Sequence, residues 1–340
     1  MQKPDNVERA RSLVEMARAA EQLEENAKAL SLYDDALAQF GEDSADSFLP
    51  DVLRWKGTLL REKGDTEAAF RCYTTSLEKA RLIESENAEA HALNCLGTVA
   101  QRRGDHKECE RLYAQAAELA TKAGDQRLLG MIEQNRGVLA NMRGDFAQAA
   151  AFYSNSLGAF EMSRDEEPMS WVLNNMGILH TKIRNFEEAR GYLERALAIA
   201  LNRNDPVVEN VVRLNLAEVW VCLGRLDVAS ECCAEALDQA QRRADHLTMA
   251  GALKIRAAIE RQRGALDKSI ATLRIAIYEA ESAEDPLLHA EMLRELGEIS
   301  RAVGNAGAAR SALREAVASY ERIGAAQELA EVRTELEALQ

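Results

Sequence analysis

Residues able to do covalent or metal chemistry are few and scattered along this 340-residue chain. Six cysteines (Cys72, Cys95, Cys109, Cys222, Cys232, Cys233) form no CxxC and no metal-ligand spacing. Five histidines (His91, His106, His180, His246, His289) show no paired spacing either. No GxxxxGK(S/T), GxSxG or HExxH stretch is present, and no glycine-rich loop follows a strand-like run. The expectation is a non-enzyme with no catalytic residue, no metal and no cofactor. Cys232 and Cys233 are neighbours, but adjacent side chains on a helix point about 100° apart. Free thiols in a reducing, cytoplasmic compartment are therefore expected.

Amides recur where nucleophiles do not. Asn135, Asn175 and Asn215 return every 40 residues. A side-chain amide both donates and accepts hydrogen bonds, so it can hold the backbone of a guest chain in either sense. Trp171 and Met131 add large, adaptable apolar surface near them in sequence. The chemistry these residues suit is recognition, and it requires a frame that brings them to one face.

The stretch Leu93 to Asp125 shows that frame. Leu93, Leu96, Gly97 and Ala100 fall at i, i+3, i+4 and i+7, one face of a helix. Gly104 stops that helix and Asp105 can cap the next, in which Cys109, Tyr113, Ala116 and Ala120 again share a face. This hairpin repeats every 40 residues. The Gly97 slot holds Ala17, Gly57, Gly137, Gly177, Ala217, Ala257 and Gly297 in the other copies. The helix-stop slot holds Gly64, Gly104, Gly144, Gly224, Gly264 and Gly304, with Glu24 and Arg184 as exceptions. The Tyr113 slot reads Tyr33, Tyr73, Tyr153, Leu193, Cys233, Leu273 and Leu313. His180 fills the Ala100 slot, where a satisfied, partly buried histidine is expected. Asp125, Asp165, Asp205, Asp245 and Asp285 recur where a new hairpin starts, with Pro206 and Pro286 directly after two of them. Asp before a helix with Pro at its first position is a start signal, so these acids have a capping role. Eight copies in register predict an all-α repeat array.

Leu-Gly followed by Ala-x3-Tyr resembles the tetratricopeptide repeat pattern, over roughly residues 8–323. Here the Trp slot of that pattern is Leu (Leu53, Leu93, Leu173, Leu253, Leu293), the closing Pro is absent, and the spacing exceeds the family's about 34 residues. In this it is similar to the longer repeats of the kinesin-light-chain type, common also in bacterial regulators. The resemblance implies a right-handed superhelical solenoid of about eight helix-turn-helix repeats plus a C-terminal capping helix. The expected repeats are 7–44, 47–84, 87–124, 126–164, 166–204, 206–244, 246–284 and 286–323, with the cap at 325–340, all in one array over 1–340. Residues 1–6 read as a short polar lead.

Composition agrees with an all-helical chain: five prolines, 5% aromatics and much Ala, Leu, Glu and Arg. No apolar run approaches a membrane span, and the N-terminus lacks a secretion signal. The net charge of −14 argues against nucleic acid as a partner.

In the repeats this chain resembles, first helices line the concave face, so ligand-facing slots can be counted from the Gly97 column at −6, −3, +1, +4 and +5. Basic residues there are Arg11, Arg18, Arg54, Arg61, Arg102, Lys182, Lys254, Arg261, Arg294 and Arg301, against Glu21, Asp51, Glu62, Glu218, Glu291 and Glu298. Copies four to six are apolar and rich in amides. The candidate peptide-binding residues are Asn94, Arg102, Met131, Gln134, Asn135, Val138, Trp171, Asn174, Asn175, Ile178, Lys182, Leu214 and Asn215. A second reading has the asparagines bonding neighbouring repeats, and Val211, Leu214 and Val221 packing on adjacent helices. The −3 slots (Val14, Arg54, Asn94, Gln134, Asn174) do not match the carboxylate-clamp version of the family. The expected function is a protein- or peptide-binding scaffold or adaptor. Its guest would have an apolar or aromatic centre on Trp171 and acidic flanks facing Arg102 on one side and Lys254 and Arg261 on the other. The alternative is a ligand-responsive sensor that relays peptide binding to a signalling or transcriptional partner.

Overall fold

The computed structural model describes residues 4–41 and 44–339. They form two compact units, Met1–Val172 and Leu173–Gln340, where the repeat spacing suggests one array. Helices are the only regular elements among the described residues. The first unit contains α1 (Pro4–Gln22), α2 (Asn26–Leu37), α3 (Leu49–Glu62), α4 (Thr66–Leu82), α5 (Glu86–Arg102), α6 (His106–Ala123), α7 (Gln126–Met142) and α8 (Phe146–Ser163). The boundary falls within α9 (Glu166–Lys182). The second unit continues with α10 (Phe186–Arg203), α11 (Pro206–Cys222), α12 (Leu226–Arg243), α13 (His246–Gln262), α14 (Leu266–Ser282), α15 (Pro286–Ala302), α16 (Ala306–Ile323) and α17 (Ala326–Glu337).

The start of α1 corrects the expected polar lead: the helix begins at Pro4. Proline's missing N–H is no loss in a first turn, whose N–H groups have no intrahelical acceptor. Five of the six aspartates expected at helix starts act as caps, and Asp165 accepts from Nε of Arg127 at 2.5 Å. Asp105, Asp125, Asp205, Asp245 and Asp285 each accept from a backbone N–H in the first turn that follows. The hairpin turns run through Gly64, Gly104, Gly144, Gly224, Gly264 and Gly304 at positive φ, and Glu24 and Arg184 take the same conformation at φ 58° and 64° without being glycine.

Each hairpin closes on the pairing of two columns. The Gly97 slot faces the Tyr113 slot, so Gly57 lies under Tyr73, Gly97 under Tyr113 and Gly137 under Tyr153, in each case too close for a Cβ. Tyr73, Tyr113 and Tyr153 are buried as a result. In the second unit the same approach is made by Leu193 on Gly177 and Leu313 on Gly297. The slot also carries alanine: Ala217 shares a cluster with Cys233, Ala17 with Tyr33 and Ala257 with Leu273.

Within each unit the first helices of successive copies touch one another: α3 with α5 and α5 with α7, then α11 with α13 and α13 with α15. No two second helices pack as closely among the described residues. First helices thus form the crowded inner side of each unit, which gives their outward slots a common face. At the end of the second unit, α17 lies where another first helix would stand. Leu329, Val332 and Leu336 of α17 close over Leu313 and Tyr320.

Candidate first-helix binding faces

The thirteen residues expected to meet a guest divide between the units. Asn94, Arg102, Met131, Gln134, Asn135, Val138 and Trp171 belong to the first; Asn174, Asn175, Ile178, Lys182, Leu214 and Asn215 belong to the second. Arg102 and Lys182 are the more open of them, Asn94 and Asn174 are buried, and the other nine are half-buried. Val221 is buried in a cluster with Ala229 and Ile259, so it packs rather than lines a surface.

Four of the asparagines are joined in pairs between neighbouring first helices. The Nδ2 of Asn135 on α7 donates to Oδ1 of Asn94 on α5 at 3.0 Å. The Nδ2 of Asn215 on α11 donates to Oδ1 of Asn174 on α9 at 2.7 Å. Each bond spans 41 residues, one copy and one residue. In both pairs the second Oδ1 and the first Nδ2 have no hydrogen bond among the described residues, and neither atom is sealed from solvent. Each pair therefore presents one carbonyl and one NH2 group side by side.

The same spacing matches other side chains. Leu214 and Ile255 share an apolar cluster, as do Val14 and Trp55. Glu295 lies in the field of Lys254, and Arg294 donates to Glu335 at 3.0 Å. Comparing slots down single columns does not reveal these partners. Pairing the −3 slot of one copy with the −2 slot of the next does.

The basic residues differ between the two units. In the first, the Arg18 and Arg54 guanidinium groups lie over the Trp55 ring, 5.2 and 5.4 Å from its centroid, and Arg11 lies over Phe48 at 5.3 Å. Arg54 bonds Asp51 at 2.9 Å, and the Nε atoms of Arg54 and Arg61 are buried without a hydrogen-bond partner. In the second unit the expected basic flank is already matched: Lys254 bonds Glu291, and Arg261 lies 3.7 Å from both Glu295 and Glu298.

Titration behaviour follows burial. His91 is held down to about 4 by desolvation, with the nearby Arg54 charge adding to it, so the imidazole is neutral. Burial raises the Cys109 and Cys233 thiols to about 11. His180 packs on Tyr192 with ring centroids 5.1 Å apart, and its Nδ1 is buried without a partner, which corrects the expectation of a satisfied histidine. Among the described residues no group of three His, Cys, Asp or Glu could hold a metal ion, and no helix is long and apolar enough to cross a membrane.

A family model described as tetratricopeptide repeat matches residues 88–162 and 132–202. No curated protein matches the chain in sequence. Among solved structures, the apo form of the quorum sensor NprR from B. thuringiensis is similar with a TM-score of 0.71 at 13% identity, covering 91% of this chain and 87% of that one. A Rap protein complexed with Competence and Sporulation Factor gives 0.63 at 15% identity, covering 98% and 100%. BtubC from P. vanneervenii gives 0.52 at 19% identity, covering 71% and 93%. At these identities the likeness is one of fold.

Proposed function

We propose that this chain, a tetratricopeptide-repeat protein, is a non-enzymatic peptide-binding scaffold whose guest lies on the first-helix face within either unit. The observation that carries this reading is the asparagine pairs. A peptide unit has one N–H and one C=O, and Asn94–Asn135 and Asn174–Asn215 each offer the complementary acceptor and donor. Their mutual bond fixes both amides before a guest arrives, which lowers the ordering cost of binding. Trp171 supplies an apolar anchor in the first unit. The guest's acidic flank is read there too, by Arg102 and Arg18, since Arg54, Lys254 and Arg261 already have carboxylate partners.

Selection of a random peptide library on the full-length chain, followed by calorimetric titration of one selected peptide, tests this. Asn135→Ala and Asn215→Ala together should weaken that peptide about tenfold or more while the helical circular dichroism stays unchanged. Unaltered affinity in the folded double variant would sink the proposal. The likeness of fold to a quorum sensor supports the finer reading of a ligand-responsive relay. Small-angle scattering of the chain with and without the selected peptide tests that part, and identical profiles would leave only the scaffold.

A further inference from the structure

A cavity of about 400 Å³ opens on the first-helix side of the last two copies, within the second unit. Its charges do not balance. Lys254 of α13 is committed to Glu291, and Arg294 of α15 reaches away to Glu331 and Glu335 on α17. That leaves Arg261, which stands 3.7 Å from both Glu295 and Glu298, beyond hydrogen-bond range of either. Glu328 of α17 also lines the cavity and makes no hydrogen bond or ion pair among the described residues. Glu295 and Glu298 thus share one guanidinium, and Glu328 is a third carboxylate on the same cavity. Burial outweighs that guanidinium and Lys254 at Glu295, whose proton affinity is raised.

Tyr320 of α16 gives a second and independent indication. It is 1% exposed, yet it lines the cavity, and its hydroxyl has no hydrogen-bond partner among the described residues. A buried phenol normally finds a partner. Here the hydroxyl is not sealed in, so it faces the open space.

We propose that this cavity binds an organic cation, an ammonium or guanidinium group, held by Glu295, Glu298 and Glu328 and by the oxygen of Tyr320. The donor count fits: an ammonium carries three N–H groups and a guanidinium five in a fork, against acceptors arrayed on three helices. The cation can be a free small molecule or a basic side chain of a peptide. In the second case the site rests on the peptide reading above; in the first it stands alone.

The test is calorimetric titration of the full-length chain with two probes. One is L-argininamide. The other is a capped heptapeptide of six alanines around a central arginine, with citrulline replacing the arginine as control. Saturable binding of argininamide assigns the cavity to free cations, and saturable binding of the arginine peptide alone assigns it to a guest side chain. Either supports the proposal, provided Glu328→Gln and Glu295→Gln each weaken binding about tenfold. Glu328 stands on the last helix, α17, so its variant keeps the test open if Glu295→Gln misfolds. Absence of saturable binding by both probes, or equal binding by folded Gln variants, overturns the cation site. If the library-selected peptide still depends on Asn135 and Asn215 in that event, the peptide reading survives without this one.

Discussion

Gly97 meets the ring of Tyr113 with no room for a side chain: a Cβ on Gly97 would stand 2.4 Å from Cε1 of the tyrosine. Gly97→Ala should therefore destabilise the chain by about 1–3 kcal/mol, since the ring is fully buried and must move. Gly158, also in a helix, has no neighbouring atom within 4 Å of where a methyl group would stand. Gly158→Ala should stabilise by about 0.5–1 kcal/mol, because alanine has the better helix propensity. Urea midpoints of the two variants should move in opposite directions.

Ala244 ends α12 at φ 54°, a left-handed conformation that costs an L-residue about 1–2 kcal/mol. Ala244→Gly relieves it but frees the unfolded chain, so a net gain of about 0.5–1 kcal/mol is expected. A lower urea midpoint for this variant would contradict the strain argument.

Trp171→Ala should weaken the selected peptide by about 2 kcal/mol or more, as loss of a central aromatic anchor does. Asn175→Ala should cost on the order of 1 kcal/mol, one backbone hydrogen bond. Affinities by calorimetry decide both. Unchanged affinity for Trp171→Ala, with collapse on charge reversal along the second helices, would move the site to the opposite face.

His91 predicts a pH dependence. Its folded pKa, about 4, lies below the ordinary 6.5 because burial disfavours the charged ring. The unfolded chain therefore takes up the proton first, so this contribution is intact above pH 6.5 and is lost as pH falls towards 4. His91→Gln should flatten the stability profile across that window, measured by urea unfolding at stepped pH.

Removing residues 325–340 should expose the surface over Leu313 and Tyr320 and leave Arg294 without Glu331 and Glu335. Lower stability and self-association are expected, read by thermal unfolding and by sedimentation. A truncated chain that stays monomeric and equally stable would remove the capping role from α17.

The fold is legible because helix-forming faces, Gly stops and Asp caps recur at one spacing, and each acts locally. Glu24 and Arg184 stand out as breaks in the glycine column, and both adopt the glycine-like turn. The start of α1 is harder to see, because Pro4 sits among polar residues and only a formed first turn makes it a helix-starting proline. The candidate site is less legible. Asn94 and Asn174 fall on first helices as their slots require, but their burial follows from a bond to the next copy, which no single column contains. The neutralisation of Lys254 and Arg261 comes from Glu291, Glu295 and Glu298, and Glu295 occupies a slot that draws notice elsewhere only for its amides.

The pairs that match across 41 residues make the copies non-interchangeable. Several first helices carry a side chain that their own successor answers: amide to amide at Asn174 and Asn215, aliphatic to aliphatic at Leu214 and Ile255, arginine to glutamate at Arg294 and Glu335. Excising residues 245–284 would keep every remaining helix, cap and turn in register, yet it would set Leu214 beside Glu295, an oily side chain against a carboxylate. A repeat array of this kind can be lengthened or shortened in evolution only where the new neighbours still answer one another, so its copy number is written into its side chains and not only into its length.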